Sequence, residues 1–387
     1  MLKRNIKTNS VTLLACTDTL APRIKLEKRT LEDAGFDIEV LYSKRDNSKR
    51  SIGKVGKYVW SLLENMIYLL KSNKKVVHFT NIDQLIISPV LKLFRKKIVY
   101  DAYERYSIDI SQRYFNGTSR GIARKIIEFI ENTYVRLFVD AVFVVSTPDE
   151  FLKKRYAKIC KICDVLYNVP PLDSICTIDL EKKFKEKVFR IAYVGRCTSL
   201  IIESINEIAM RLDALGVIYE IHLVGGIFDE MLQSCDPSYY SERKLHKNIC
   251  LHGHMEYQSM SKFLVKFHVG LTLLPNPKEY IYAGPGSSRK NFTYMCAGMA
   301  IISNSPSGPA SVIINESCGI ALDETDSIES FAVSINKIYK NRNEAMEYSS
   351  NGILAIKNKY NWDHEKEKFL YAYSKLTERV NENEISV

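Results

Sequence analysis

The sequence predicts an α/β protein made of two doubly wound units, each a parallel sheet with helices on both faces. Three observations carry that prediction. Short apolar runs of strand length alternate with helical stretches from end to end. The alternation breaks once, at Asn-Val-Pro-Pro (168–171) and the lysine-rich stretch to 187, and then restarts. The chain has 387 residues, more than one ordinary core uses, and is 46% apolar and 26% charged. That composition excludes a disordered chain, a collagen and a coiled coil.

The elements follow in order. VTLLAC (11–16) reads as a buried strand, 23–34 as a helix closed by Gly35, and IEVLY (38–42) as the next strand. Val59, Leu62, Leu63, Met66, Ile67 and Leu70 recur at helical spacing, which predicts a helix over 58–71 facing the core. Strands are expected at 76–79, 98–100 and 141–145, separated by helices near 84–94, 121–138 and 148–158. After the break, strands are expected at 189–194, 219–224, 249–251, 269–274, 300–303 and 319–322. The predicted division is a Rossmann-like domain over 1–172, a linker over 173–187, a second Rossmann-like domain over 188–362, and a helix and tail over 363–387. Ligands of such sheets bind beyond the carboxyl ends of the strands, so a cleft between two facing units is the expected site.

Charge is uneven. Residues 1–187 carry 35 Lys and Arg against 22 Asp and Glu, whereas 188–387 carry 20 against 23. A basic half suits a polyanion. No nucleic-acid module accompanies it, so nucleic acid is not an expected partner. An anionic membrane surface is the preferred one, with an ordinary solvated surface as the alternative. Helix 58–71 would show Trp60 and Tyr68 outward between flanking lysines, which suits a membrane interface. No run approaches 18 uncharged apolar residues, and the basic N-terminus lacks an apolar stretch behind it. The expected location is cytoplasmic, peripheral on the inner membrane face. Nine scattered cysteines are expected as free thiols, with Cys160 and Cys163 on a helix rather than at a metal.

Two stretches carry chemistry. In GPGSSRKNFTYMCAGMAIISN (284–304), a flexible loop with Gly286 leads to Ser287 and Ser288 as candidate caps. A short helix from Arg289 follows, ended by Gly298. A helix start preceded by such a loop offers N–H groups and a positive dipole end to a phosphate, and Arg289 and Lys290 add full charge. In FRIAYVGRC (189–197) a strand runs into Gly195, where a ligand approaches backbone closely, and Arg196 offers a forked donor set.

These stretches stand in an ordered series. APRIKLEKRTLEDAGFDIEVL (21–41), VVHFTNIDQLIISPVL (76–91), KIVYDAYERY (97–106), AVFVVSTPDEFLKKRY (141–156) and VLYNVP (165–170) precede them or lead up to them. NICLHGHMEY (248–257), ESCGIAL (316–322) and NWDHEKEKFLYAYSKL (361–376) complete the set. Together they resemble GT-B glycosyltransferases of the large retaining, family 4-like group, over nearly the whole chain. The resemblance implies a retaining, metal-independent enzyme with no cofactor. It would move a sugar from a nucleotide-sugar donor, a UDP-sugar, to a lipid-linked or growing glycan in surface-polysaccharide biosynthesis.

The resemblance implies that Gly195, Arg196, Lys290 and the 284–288 loop hold the donor diphosphate, with the base at His254 and Met255. Asp101, Tyr103 and Glu104 are the candidate acceptor-side and catalytic residues, two carboxylates and a phenol expected just beyond a strand end. Asp101 as a helix cap is the alternative. Arg23 is expected either to face a phosphate or to be an ordinary helix-start arginine. Three positions depart from the group's pattern. Thr293 replaces a ribose-binding Glu, and Pro285 stands where its partner Glu would be. No basic residue follows Arg196 within 197–204, and Tyr103 replaces a His. These losses leave open a non-catalytic protein of the same fold that binds a glycan or a partner.

Overall fold

The structure, a computed structural model, describes residues 10–15, 21–42, 52–226, 245–323 and 325–384. It divides into two units. The first comprises 1–146, 150–167 and 364–387, and the second 147–149 and 168–363.

The first unit alternates strand and helix: β1 (Ser10–Ala15), α1 (Pro22–Asp33), β2 (Asp37–Tyr42), α2 (Ile52–Lys71), β3 (Val76–Phe79), α3 (Ser88–Leu93) and β4 (Lys97–Ala102). A helical hairpin, α4 (Tyr106–Tyr114) and α5 (Gly117–Phe138), leads to β5 (Ala141–Val144), α6 (Phe151–Tyr156) and β6 (Ile162–Val165). All six strands are parallel, in the order β2-β1-β3-β4-β5-β6. The C-terminal helix (Trp362–Glu384) joins this unit from His364, burying Phe369 and Tyr373.

Two expectations need correction here. Cys160 and Cys163 are not on a helix; Cys163 lies on the edge strand β6 and Cys160 just before it. Burial pushes both thiols up, to about 11 and about 12. The apolar stripe of α2 does not face the core as a whole, for Leu62 is buried whereas Val59, Leu63 and Ile67 are exposed together with Trp60 and Tyr68. The side chains of Lys54 and Lys57 lie outside the described residues.

The second unit begins with the stretch expected as a linker. It is folded: α7 (Leu180–Phe184) buries Phe184 in the core, and Lys183 is buried with it. Then come β7 (Phe189–Val194), α8 (Ser199–Ala214), β8 (Tyr219–Val224), β9 (Ile249–Leu251), α9 (Tyr257–Leu264), β10 (Val269–Thr272), α10 (Arg289–Cys296), β11 (Ala300–Ser303), α11 (Ser307–Asn315), β12 (Gly319–Ala321), α12 (Ile328–Lys340) and α13 (Arg342–Asn358). The sheet is again fully parallel, β12-β11-β10-β7-β8-β9. The chain therefore reverses its direction of sheet growth between β7 and β10. In such sheets that switch point, at the carboxyl edge, is where ligands bind.

Helix α10 is locked to the sheet at that point. Gly270 on β10 has no side chain, and an added Cβ would lie 2.3 Å from the ring of Tyr294. The Tyr294 hydroxyl accepts from the Val194 N–H at 2.8 Å and donates to the Leu271 carbonyl at 2.9 Å. One phenol thus ties α10 to both β7 and β10. At its far end Gly298, with φ +56°, stops the helix, and the Lys183 ammonium donates to the Ala297 and Gly298 carbonyls at 3.1 and 2.6 Å. Tyr294→Phe leaves the half-buried Val194 N–H without its acceptor. It should lower the stability of this unit by roughly 1–3 kcal/mol. Urea unfolding followed by circular dichroism measures this, and an unchanged midpoint would show that the phenol is not the lock.

Candidate functional site

The carboxyl edge of the second sheet gathers the loops after β7, β8, β9 and β10. Gly195 ends β7 and Gly225 ends β8, and the two backbones touch. A Cβ on Gly225 would lie 1.7 Å from the Gly195 carbonyl oxygen. Both residues have positive φ, +147° and +155°. No Cβ fits at Gly225, so the two strand-end backbones lie in direct contact there.

Lys290, in the first turn of α10, reaches into this corner. Its ammonium would be 3.4 Å from a Cβ on Gly195 and lies 4.7 Å from the centre of the Tyr193 ring. Burial lowers its pKa to about 8. A half-desolvated cation with an aromatic face as its described neighbour gains from an arriving anion. Arg196 follows Gly195 and is exposed.

The loop before α10 is a tight turn. Ser287 donates to the Gly284 carbonyl through both its hydroxyl, at 2.7 Å, and its N–H, at 3.1 Å. Gly286 is buried, and its carbonyl accepts from the Asn168 N–H at 2.8 Å. Neither serine caps the helix as expected, for Ser288 occupies the cap position without a side-chain hydrogen bond and the Ser287 hydroxyl is turned to Gly284. The Arg289 N–H donates to the Ser287 carbonyl at 3.1 Å, and among the described residues no side chain caps the N–H groups that follow it.

Two expected donor-site residues are turned elsewhere. Arg289 lies with its guanidinium 4.7 Å from the centre of the Tyr257 ring on α9, and burial lowers its pKa. Successive residues on a helix point about 100° apart, so Lys290 and Arg289 serve different neighbours. Thr293 is buried, and its hydroxyl donates to the Arg289 carbonyl at 3.1 Å. It is therefore not presented to a ribose. His254 is exposed and Met255 half-buried in the loop after β9. Asn168 is a site residue that sequence reasoning missed; its N–H and its amide, the latter at 3.4 Å from the Ser287 carbonyl, hold the loop. The Asn-x-Pro pattern was its only signal.

In the first unit, Asp101 is not beyond a strand end and is not a helix cap. It lies within β4, fully buried, and α4 starts later with Arg105 at its cap position. Tyr103 and Glu104 do follow the strand; Tyr103 is half-buried, edge-on to Tyr106 at 6.2 Å, and Glu104 is exposed. Arg23 is turned into the interior of the first unit. It is buried, hydrogen-bonded to Glu27 at 3.0 Å, to the Leu166 carbonyl at 3.2 Å and to Asp101.

Beside this group His78, on β3, pairs with the Tyr373 hydroxyl at 2.8 Å and lies 3.7 Å from Glu27. Burial lowers His78 to about 3, so it is neutral. Burial raises Glu27 well above the carboxylate range, helped by Asp101, and raises Asp101 to about 6 against the pull of Arg23.

Glu27, His78 and Asp101 are the residues, among those described, whose ligating atoms converge, all within 4.8 Å of one another. The Arg23 guanidinium already lies against both carboxylates. A proton shared by the two acids therefore suits the charge balance better than a cation.

No protein-family model matches the chain, and no curated protein matches it in sequence. Solved structures do match, with low identity. Sucrose-phosphate synthase from Thermosynechococcus elongatus shares 15% identity and a TM-score of 0.67, over 95% of this chain and 99% of that one. Anabaena HepE in complex with UDP-glucose shares 12% and 0.64, over 95% and 99%. WaaG, a glycosyltransferase involved in lipopolysaccharide biosynthesis, shares 11% and 0.62, over 93% and 98%. The chain has the GT-B fold. The match spans both sheets, as the ordered sequence landmarks implied. Within the GT-B fold, the second unit carries the Lys290 corner and the first carries the buried acid cluster.

The folded first unit holds the Asp101 proton more tightly than the unfolded chain does. Its contribution to stability is full below about pH 4 and is lost as pH rises through about 6. Asp101→Asn should flatten that part of the profile. Thermal unfolding between pH 4 and 7 tests this, and parallel profiles for the two proteins would contradict the raised Asp101.

Proposed function

We propose that the protein is a retaining, metal-independent glycosyltransferase that uses a nucleotide-sugar donor, a UDP-sugar. One observation carries the reading: the Lys290 ammonium is held against the side-chain-free backbone of Gly195, beside an uncapped helix start, at the switch point of the second sheet. A diphosphate leaving group develops negative charge as its bond to the sugar breaks. Fixed cations and N–H groups aimed at it lower that barrier. Lys290 and Arg196 would supply the charges, and Gly286 and the α10 start the dipoles. Tyr257 holds Arg289 aside as a wall of the same loop region. His254 and Met255 are the proposed base-side residues.

The acceptor is a lipid-linked or growing glycan of surface-polysaccharide assembly at the inner membrane face. Tyr103 and Glu104 are the proposed acceptor-side groups, with Asp101 acting from behind them as a buried positioning group. HepE, which binds UDP-glucose, and WaaG, which acts in lipopolysaccharide biosynthesis, support this direction by likeness of fold. The domain roles are proposed accordingly, acceptor on the first unit and donor on the second.

A second reading, a non-catalytic protein of the same fold, draws on Thr293. With its hydroxyl turned into its own helix and no glutamate at 285 or 293, the usual ribose contact is missing.

Calorimetric titration with UDP, GDP, ADP and CMP, in the presence of a chelator, separates the two. The transferase reading expects one preferred nucleotide, with Lys290→Ala weakening it and lowering turnover by about 100-fold or more. Binding by none of the four would favour the non-catalytic protein. Near-normal turnover in both Lys290→Ala and Arg196→Ala would overturn the phosphate site.

A further inference from the structure

The second sheet holds a pair of histidines that the proposed chemistry does not use. His222, on β8, is buried, and His252, directly after β9, is half-buried. His222 Nδ1 and His252 Nε2 are 2.7 Å apart. The ring planes lie within 8° of each other with centres 5.0 Å apart, so the contact runs nearly along the line joining the rings. That is the geometry of a hydrogen bond, one N–H aimed straight at one lone pair. Two nitrogens sharing a zinc ion would be about 3.3 Å apart and splayed.

The proton's place follows from the far side of His222. Its Nε2 lies 3.4 Å from Glu220, whose carboxylate is also 3.4 Å from the Arg190 guanidinium. A carboxylate only accepts, so His222 Nε2 carries the hydrogen and Nδ1 keeps its lone pair. The donor of the pair is therefore His252 Nε2–H. Burial lowers both imidazoles below the ordinary histidine value, so the pair is neutral at pH 7. Phe267 stands edge-on to His222, with ring centres 4.8 Å apart, and Phe263 lies 4.7 Å from His252, so both imidazoles are packed in place.

What the pair holds is the start of the loop that carries His254 and Met255. That loop, 252–256, joins β9 to α9. Its backbone is tied to β8 at two points. The His252 N–H donates to the Leu223 carbonyl at 2.9 Å, and the Gly253 carbonyl accepts from the Gly225 N–H at 2.7 Å. Gly253, with φ +64°, then turns the chain. The imidazole bond is a further tie, made by the side chain of the first loop residue. Gly225 touches Gly195, so the loop is referenced to the same corner as Lys290. We propose that His222 and His252 are positioning residues. Their hydrogen bond sets the loop that carries the base-side residues, and so sets how a nucleotide sits once its diphosphate is held. This rests on the proposed donor site, and it assigns no contact between either histidine and the ligand.

The wild type, His252→Leu and His252→Gln, each as the full chain, test it. Leucine removes the donor, whereas the glutamine amide nitrogen takes the place of His252 Nε2. Calorimetry should show UDP affinity about tenfold lower in His252→Leu and largely restored in His252→Gln. Inorganic pyrophosphate, which engages only the Lys290 corner, should bind all three alike. Hydrogen–deuterium exchange of the 252–257 amides, without ligand, should be faster in His252→Leu alone. Circular dichroism shows whether each variant is folded. Equal UDP affinity in the three proteins would overturn the inference. So would UDP and pyrophosphate weakened together, or leucine and glutamine variants that behave alike. A wild type that binds neither UDP nor pyrophosphate speaks against the transferase instead. Exchange then still decides on the histidines, since equal exchange in the three proteins overturns their role with or without a nucleotide.

Discussion

The phenol of Tyr294 fills the space that Gly270 leaves empty, and the geometry of the second unit follows from that contact. Because the ring sits on β10 and its hydroxyl is bonded to β7 and to Leu271, α10 has no freedom to rotate or slide. Lys290 is one turn earlier on the same face, so it is delivered to Gly195 and the Tyr193 ring. The opposite end of the helix is held by Lys183 on the Ala297 and Gly298 carbonyls. A site that must place a cation accurately is thus built on a helix held at both ends.

The first unit solves a different problem. Arg23, Glu27, His78 and Asp101 are all buried, and each ionised group there would cost several kcal/mol alone. They stand because they compensate one another. The guanidinium bridges the two acids, burial favours the protonated form of each acid, and the neutral imidazole is held by Tyr373 of the C-terminal helix. One cluster therefore binds α1, β3, β4 and the end of the chain into a single body. Tyr103 and Glu104 leave the strand that carries Asp101, so their position inherits the order of the cluster.

The fold was legible because its signals are local. Runs such as VVHF and FRIAYV are too apolar for a surface and too short for buried helices, and their alternation with helical stretches leaves few arrangements. ICDV, which forms β6, was not legible because an edge strand with Asp164 in it lacks that contrast. Lys290 and Gly195 were readable as a pair of landmarks. The orientation of Arg289 and Thr293 was not, since it depends on Tyr257 and on the helix's own carbonyls, and neither contact has a sequence spacing. Asp101 looked like a surface carboxylate because its partners, Arg23 and Glu27, are more than seventy residues earlier.

Under the proposed function the Lys290 ammonium, partly desolvated beside Gly195, receives the donor diphosphate. Nitrogen-15 NMR of the lysine side chains, titrated with pH in the absence and presence of UDP, addresses it directly. Lys290 should titrate near its lowered value of about 8 in the free protein and move up towards the ordinary lysine range once UDP is bound. A Lys290 titration that saturating UDP leaves in place would contradict the account.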